Sequence, residues 1–232
     1  MDNSVAPGSD SGKSFDAGRE QVFDRMAPHW DSMAPPVPPE KIRELIAIAD
    51  VKDKTVLDVG AGTGILVAAG LAAGPSKWIA CDLSREMLKI LETKFNNELN
   101  GGFIPATGPQ LLLLHADVHS LPLKPASVDR VICHNVFPHF HQPKAALAEL
   151  FRVLRPGGLL VINHFAGREF INQVHRSAPH SILHMDLLVP AEEAAERLRE
   201  AGFTVTGVVD SPDLYRITAV RPVDGDRDGS GL

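Results

Sequence analysis

Polar and apolar positions fall into short alternating blocks along this chain. Residues 55–59, 77–82, 110–115, 129–133 and 159–163 are brief runs rich in aliphatic and β-branched side chains, the length and composition of strands. Between them, apolar residues recur at helical spacing. Ile42, Leu45, Ile46 and Ala49 follow Pro39, which suits a helix start. Residues 65–73 are closed by Gly74; Met87, Leu88, Leu91 and Phe95 follow Ser84, a helix-capping residue; Ala146, Leu147, Leu150 and Val153 mark a helix over 144–154. The 110–115 run shows no polar alternation and predicts a strand buried on both faces. Arg155-Pro156-Gly157-Gly158 predicts a turn, 191–201 a last helix ended by Gly202, and 203–209 with 215–220 two closing strands. Strands alternating with helices predict an α/β fold, a mostly parallel sheet with helices on both faces. In such sheets ligands bind beyond the carboxyl ends of the strands.

The flanks differ. Residues 1–14 and 222–232 are rich in Gly, Ser and Asp and predict disordered tails. Within 15–53, Val22, Phe23, Met26, Trp30 and Met33 have roughly helical spacing that Pro28 interrupts. Two short helices, a proline-rich spacer at 35–39 and the helix after Pro39 predict an N-terminal helical cap. Residues 165–190 have poor periodicity and read as a long insertion.

Composition narrows the class. A chain of 232 residues can bury one substantial α/β core. Its net charge of −6, with no dense Lys/Arg block, gives no sign of nucleic-acid binding. No apolar run is long enough to span a bilayer and no apolar signal core opens the chain. Cys81 and Cys133 fall near strand ends, which suits reduced, packed thiols and a cytoplasmic location.

The chemistry begins at the first strand, which runs into Gly60, Gly62 and Gly64. Glycines there allow positive φ and close approach of a ligand, and the following helix start offers open amides. A glycine-rich strand-to-helix turn serves both dinucleotides and other nucleosides. Asp82, ending the second strand, can accept two hydrogen bonds from a ribose diol; Asp117 follows the third strand.

Leu57-Asp58-Val59-Gly60-Ala61-Gly62-Thr63-Gly64 resembles motif I of the class I S-adenosylmethionine-dependent methyltransferases. His115-Ala116-Asp117-Val118 with Leu121-Pro122 resembles the family's adenine-binding segment. Residues 128–137 resemble its motif IV, and Leu154-Arg155-Pro156-Gly157-Gly158-Leu159 its helix–turn–strand signature. The similarity runs from about Lys54 to Val220 and looks like the quinone-biosynthesis and small-molecule branch. It implies a Rossmann-like sheet of seven mostly parallel strands with a reversed C-terminal hairpin. The implied methyltransferase domain covers 54–221, with 165–190 as a lid. S-adenosylmethionine is the implied cofactor, and a small or medium organic molecule the implied acceptor, methylated on oxygen or carbon. Gly60, Ala61, Gly62, Thr63 and Gly64 would face the methionine part, Asp82 the ribose, and Asp117 with Val118 the adenine. Asp58, Leu83, Met87 and His134 complete the implied cofactor set.

A sulfonium methyl is already activated. The protein must align the acceptor, exclude water and in some cases remove a proton. Ten histidines stand in the sequence, and several gather where an acceptor would enter: His134, His139 and His141 after the fourth strand, His164 after the fifth, His175, His180 and His184 in the insertion. Three readings stay open. They are scattered polar residues; or His139 or His164 acts as a base; or His180 and His184 with His164 or His139 bind a metal, although no carboxylate or cysteine completes a recognised set. Phe137, Phe140, Phe165 and Phe170 are candidates for an apolar acceptor wall, and Phe23, Met26 and Trp30 for a flap. Two other functions stay open: a nicotinamide-dependent oxidoreductase, against which G-x-G-x-G and Asp117 speak, and a regulatory protein that binds the cofactor without transfer. Neither the acceptor nor the oligomeric state is legible.

Overall fold

The computed structural model describes residues 16–33, 36–101, 109–177 and 181–223. The two tails fall outside them, apart from residues 222 and 223. In chain order the elements are α1 (Ala17–Met26), α2 (Trp30–Met33), α3 (Pro39–Ala49), β1 (Thr55–Val59), α4 (Val67–Ala72), β2 (Lys77–Asp82), α5 (Arg85–Gly101) and β3 (Gln110–His115). There follow β4 (Val128–His134), α6 (Pro143–Val153), β5 (Leu154–His164), α7 (Arg168–Arg176), α8 (Ala191–Glu200), β6 (Thr204–Ser211) and β7 (Leu214–Val220).

The strands form one seven-stranded sheet in the order β3-β2-β1-β4-β5-β7-β6. The first five run parallel, and β7 pairs antiparallel with both β5 and β6. This is the mostly parallel sheet with a reversed final hairpin. The order reverses at β1, so the tips of β1 and β4 border the switch-point crevice.

Side chains alternate across the sheet. Val56, Trp78, Ala80, Ile132 and Val161 meet Leu45, Ile46, Leu66, Leu88 and Leu91 of α3, the glycine-turn segment and α5 on one face. Leu57, Val59, Ile79, Val131, Leu160 and Ile162 meet Leu147, Leu150, Ala194 and Leu198 of α6 and α8 on the other. Trp78 lies fully buried against Gly70, where a Cβ would come within 2.3 Å of its ring.

Two expectations are corrected, and a third segment gains detail. Among the described residues the 110–115 run is an edge strand paired only with β2, and Leu112 is 42% exposed; its unbroken leucines imitate a strand covered on both sides. Residues 155–158 belong to β5. They are tied to the end of β7, where Gly157 donates to Arg221 O (2.7 Å) and Arg221 N donates to Gly158 O (3.0 Å). The insertion contains α7 and a 3₁₀ turn at Ile182–Met185. The inward side of α7 is mixed: Ile171 packs on the core, while Asn172 is buried and bonds both ways with the Leu188 backbone. Phe170 and Val174 stand exposed. Two of its three large apolar residues stand on the outer side, so periodicity did not identify it.

Candidate functional site

One cavity opens at the tips of the parallel strands. Its volume, including the open mouth, is about 690 Å³. Val59, Gly60 and Gly62 come from β1 and its turn, Cys81, Asp82 and Leu83 from β2, and Met87 from α5. Ala116, Asp117, Val118 and His119 come from the exit of β3. Asn135, Val136, His139, Phe140 and His141 come from the exit of β4. Asp16, Arg19, Phe23 and Trp30 of the N-terminal cap form the roof.

The glycine turn gives shape rather than free donors. Gly60, Gly62 and Gly64 have φ of 69°, 55° and 95°, values costly for any residue with a Cβ. A Cβ on Gly60 would lie 2.4 Å from Val136 Cγ2, and one on Gly62 would face Trp30 Nε1 at 3.6 Å. The amides of Gly60 and Ala61 donate to Cys81 O, and Gly62 N donates to Asp82 Oδ2 at 2.7 Å. The amides of Gly60, Ala61 and Gly62 are therefore engaged, and α4 begins only at Val67.

Asp82 is nearly buried. Its Oδ2 accepts from Gly62 N and its Oδ1 from Ser84 N (2.8 Å). Burial pushes its carboxyl up to about 6, against these two hydrogen bonds. Each oxygen keeps a further lone pair, which is what a vicinal diol requires. Asp117 Oδ1 accepts from His119 N and Nδ1, and its Oδ2 from Asp16 N (3.1 Å). Burial opposes ionisation, but these hydrogen bonds and the His119 ring hold the carboxyl below its ordinary range. Only Oδ2 has room for another donor, such as an aromatic amino group. The donor set thus fits an adenosyl group: a paired acceptor for the ribose, a single one for the adenine, and a glycine cradle.

Asn135 leaves β4 in a left-handed conformation (φ 55°) and donates its N–H to Asn163 O. A 3₁₀ turn over Phe137–His139 then brings His139 to the cavity. Its Nδ1 lies 2.9 Å from Asp186 Oδ2.

The structure brings Gly60, Gly62, Asp82, Leu83, Met87, Asp117, Val118 and His139 around the cavity, and leaves others elsewhere. Asp58 is buried on the side of β1 opposite Val59; burial pushes its carboxyl up to about 7, with the Asp82 charge adding to the rise. Ala61 joins the core beside α5, Gly64 backs onto Leu91, and Thr63 Oγ1 donates to Asp31 Oδ1 at 2.6 Å. His134 is buried against Phe165 with Nδ1 near Asn163 O, and burial lowers it to about 4. His164 is buried beside Tyr215 with neither ring nitrogen partnered, and burial drives it well below the ordinary histidine value. Both end strands, as expected, and neither is among the residues that line the cavity. Of the four phenylalanines considered for the acceptor wall, Phe140 lines the cavity; Phe23 and Trp30 take the flap position. His180 lies outside the described residues, and among those described no group of three or more His, Cys, Asp or Glu could hold a metal ion.

Sequence reasoning missed Asp16, Arg19, His119 and Asp186. Only His119 left a local signal: it stands two residues after Asp117, the spacing of an Asx turn. The others come together across long stretches of chain, such as the 167 positions between Arg19 and Asp186.

Among the described residues no helix is long and apolar enough to cross a membrane. The family described as "Methyltransferase domain" matches residues 57–162. Demethylmenaquinone methyltransferase of Clavibacter sepedonicus is 34% identical over 120 residues, covering 52% of this chain and 44% of that protein. O-methyltransferase cnsE of Penicillium expansum is 25% identical over 171 residues, covering 74% and 59%. The chain spans about half the length of the curated relatives it matches. Among solved structures, an S-adenosylmethionine-dependent methyltransferase from Aquifex aeolicus shares the fold with a TM-score of 0.61 at 21% identity, covering 87% of this chain and 98% of that one. The likeness in sequence runs through the segments that border the cavity: residues 57–162 match the methyltransferase domain, and the sheet is that of solved S-adenosylmethionine-dependent methyltransferases.

Proposed function

We propose that this chain transfers a methyl group from S-adenosylmethionine to a small or medium organic acceptor carrying an acidic hydroxyl. Asp82 would hold the ribose, Asp117 and Val118 the adenine, and the Gly60–Gly62 turn the methionine part. When bound, the cofactor supplies a methyl carbon on a sulfonium, whose leaving group is a neutral thioether. The protein's own task is to place the acceptor oxygen, keep water out and take the proton. Phe23, Trp30 and Phe140 exclude water, and His139 is the base.

One observation carries this reading: His139 faces the same cavity as the glycine turn, Asp82 and Asp117. A base beside a hydroxyl serves O-methylation directly. It equally serves methylation of a ring carbon next to a phenolate. Relatives named for O-methylation and for quinone methylation both support an acceptor of this kind. The test is formation of S-adenosylhomocysteine across a panel of phenols, quinols and aliphatic alcohols. Turnover is expected with the phenolic set, and His139→Gln should lower kcat by roughly 10²–10⁴-fold. Binding of the cofactor with no turnover on any acceptor would favour a regulatory role instead. Unchanged kcat in His139→Gln would remove the base.

A further inference from the structure

His139 does not stand alone. Asp186, from the segment after α7, places Oδ2 2.9 Å from His139 Nδ1. The same carboxylate receives Arg19 Nε at 3.1 Å and Nη2 at 2.5 Å, a two-pronged pair from α1. Asp186 is only 5% exposed. His175 of α7 directs its Nδ1 at the Asp186 carbonyl oxygen. Its ring lies 5.0 Å from that of His139, and the Phe23 ring stands edge-on to His139 at 5.1 Å. Three chain segments distant in sequence thus enclose one imidazole and one carboxylate.

The chemistry fixes where the hydrogens sit. Burial works against the Asp186 charge, but the His139 and Arg19 hydrogen bonds prevail and hold its carboxyl below the ordinary range. An ionised carboxylate only accepts, so His139 carries a hydrogen on Nδ1, which leaves Nε2 as the nitrogen that faces an acceptor's proton. The other charged and titratable groups around this imidazole are Arg19 from α1, His175 from α7 and the buried His164 from β5. None of them offers His139 a second anion.

We propose that Asp186 is the positioning residue of this site: it sets the tautomer and the ring plane of His139, and so makes Nε2 the atom that takes the acceptor's proton. The inference rests on the reading of His139 as base. In the step, the acceptor O–H bond breaks, the proton binds Nε2 and the electron pair stays on oxygen. Asp186 remains ionised and stabilises the imidazolium without receiving the proton. Because Asp186 is also gripped by Arg19, the base is complete only when the cap helix lies over the cavity.

Long-range ¹H–¹⁵N spectra of the histidine-labelled full chain test the geometry without turnover, with His139→Gln identifying the ring. The expected wild-type spectrum has hydrogen on Nδ1 and a bare Nε2; hydrogen on Nε2 would overturn the proposal. In Asp186→Asn the tautomer should change or become mixed, and kcat should fall by about 10²–10⁴-fold with the cofactor KM nearly unchanged. The pH profile of the residual kcat should change with it, because the ring loses the group that orients it. A KM defect with unaltered kcat and profile would mean a structural role only. The wild-type spectrum decides alone if Asp186→Asn fails to fold. If His139→Gln keeps its activity, the base reading falls. If that variant is dead while Asp186→Asn has normal kcat and profile, the base stands and the positioning role falls.

Discussion

The floor and the roof of the cavity are built on opposite plans. The floor is backbone: strand tips in register, glycines at positive φ, and amides tied to Cys81 and Asp82. Its side chains run down into two apolar layers. The roof is a set of side-chain latches. Asp24 accepts from Ser84 Oγ (2.6 Å) and Glu86 N (3.2 Å), and Asp31 takes Thr63 Oγ1 and Lys94 Nζ. Glu20 meets His115, while Asp16 and Arg19 reach Asp117 and Asp186. No residue of α1 is fully buried. A floor of this kind unfolds with the domain, whereas a roof held by partly solvated polar pairs can open by itself. The difference separates the part that recognises a ligand from the part that admits it.

The sharpest way to break the contrast is at Gly60. Gly60→Val would combine left-handed strain with a clash on Val136. It should cost about 2–5 kcal/mol of global stability in urea unfolding. A near-neutral result would mean that the floor yields as readily as the roof. Next in size, Asp82→Ala should weaken binding of S-adenosylhomocysteine by roughly 1–3 kcal/mol in titration calorimetry, the loss expected when hydrogen-bonding groups are left unpaired. Unaltered affinity would remove Asp82 from the ribose role. The smallest effect belongs to the roof. Arg19→Ala should leave the global unfolding midpoint almost unchanged, while amide exchange in Ala17–Met26 quickens by roughly tenfold, the equivalent of ~1.4 kcal/mol of local opening. A fall in global stability as large as that of Gly60→Val would merge the two regions into one cooperative unit.

The same division explains what could be read from the sequence. The floor was legible because local rules determine it. An apolar run of β length, glycines two apart and an acid at each strand end need no distant partner to be recognised. Legibility stopped at the pleat: a residue's place at the end of β4 or β5 does not say which side it faces, and neither His134 nor His164 is among the residues that line the cavity. The roof was hardly legible. Arg19 and Asp186 are ordinary charges in sequence and meet only through the fold, and α7 hides its inward face behind Asn172. Its exposed Phe170 and Val174 carry the helical spacing a reader would assign to a core.

The two tryptophans divide in the same way, one into each region. Trp78 is sealed in the protein interior, and Trp30 borders the cavity with its indole nitrogen over the glycine turn. The molecule therefore carries its own optical gauge: emission from the first is a constant background, and emission from the second follows occupancy beneath it, readable without any attached dye.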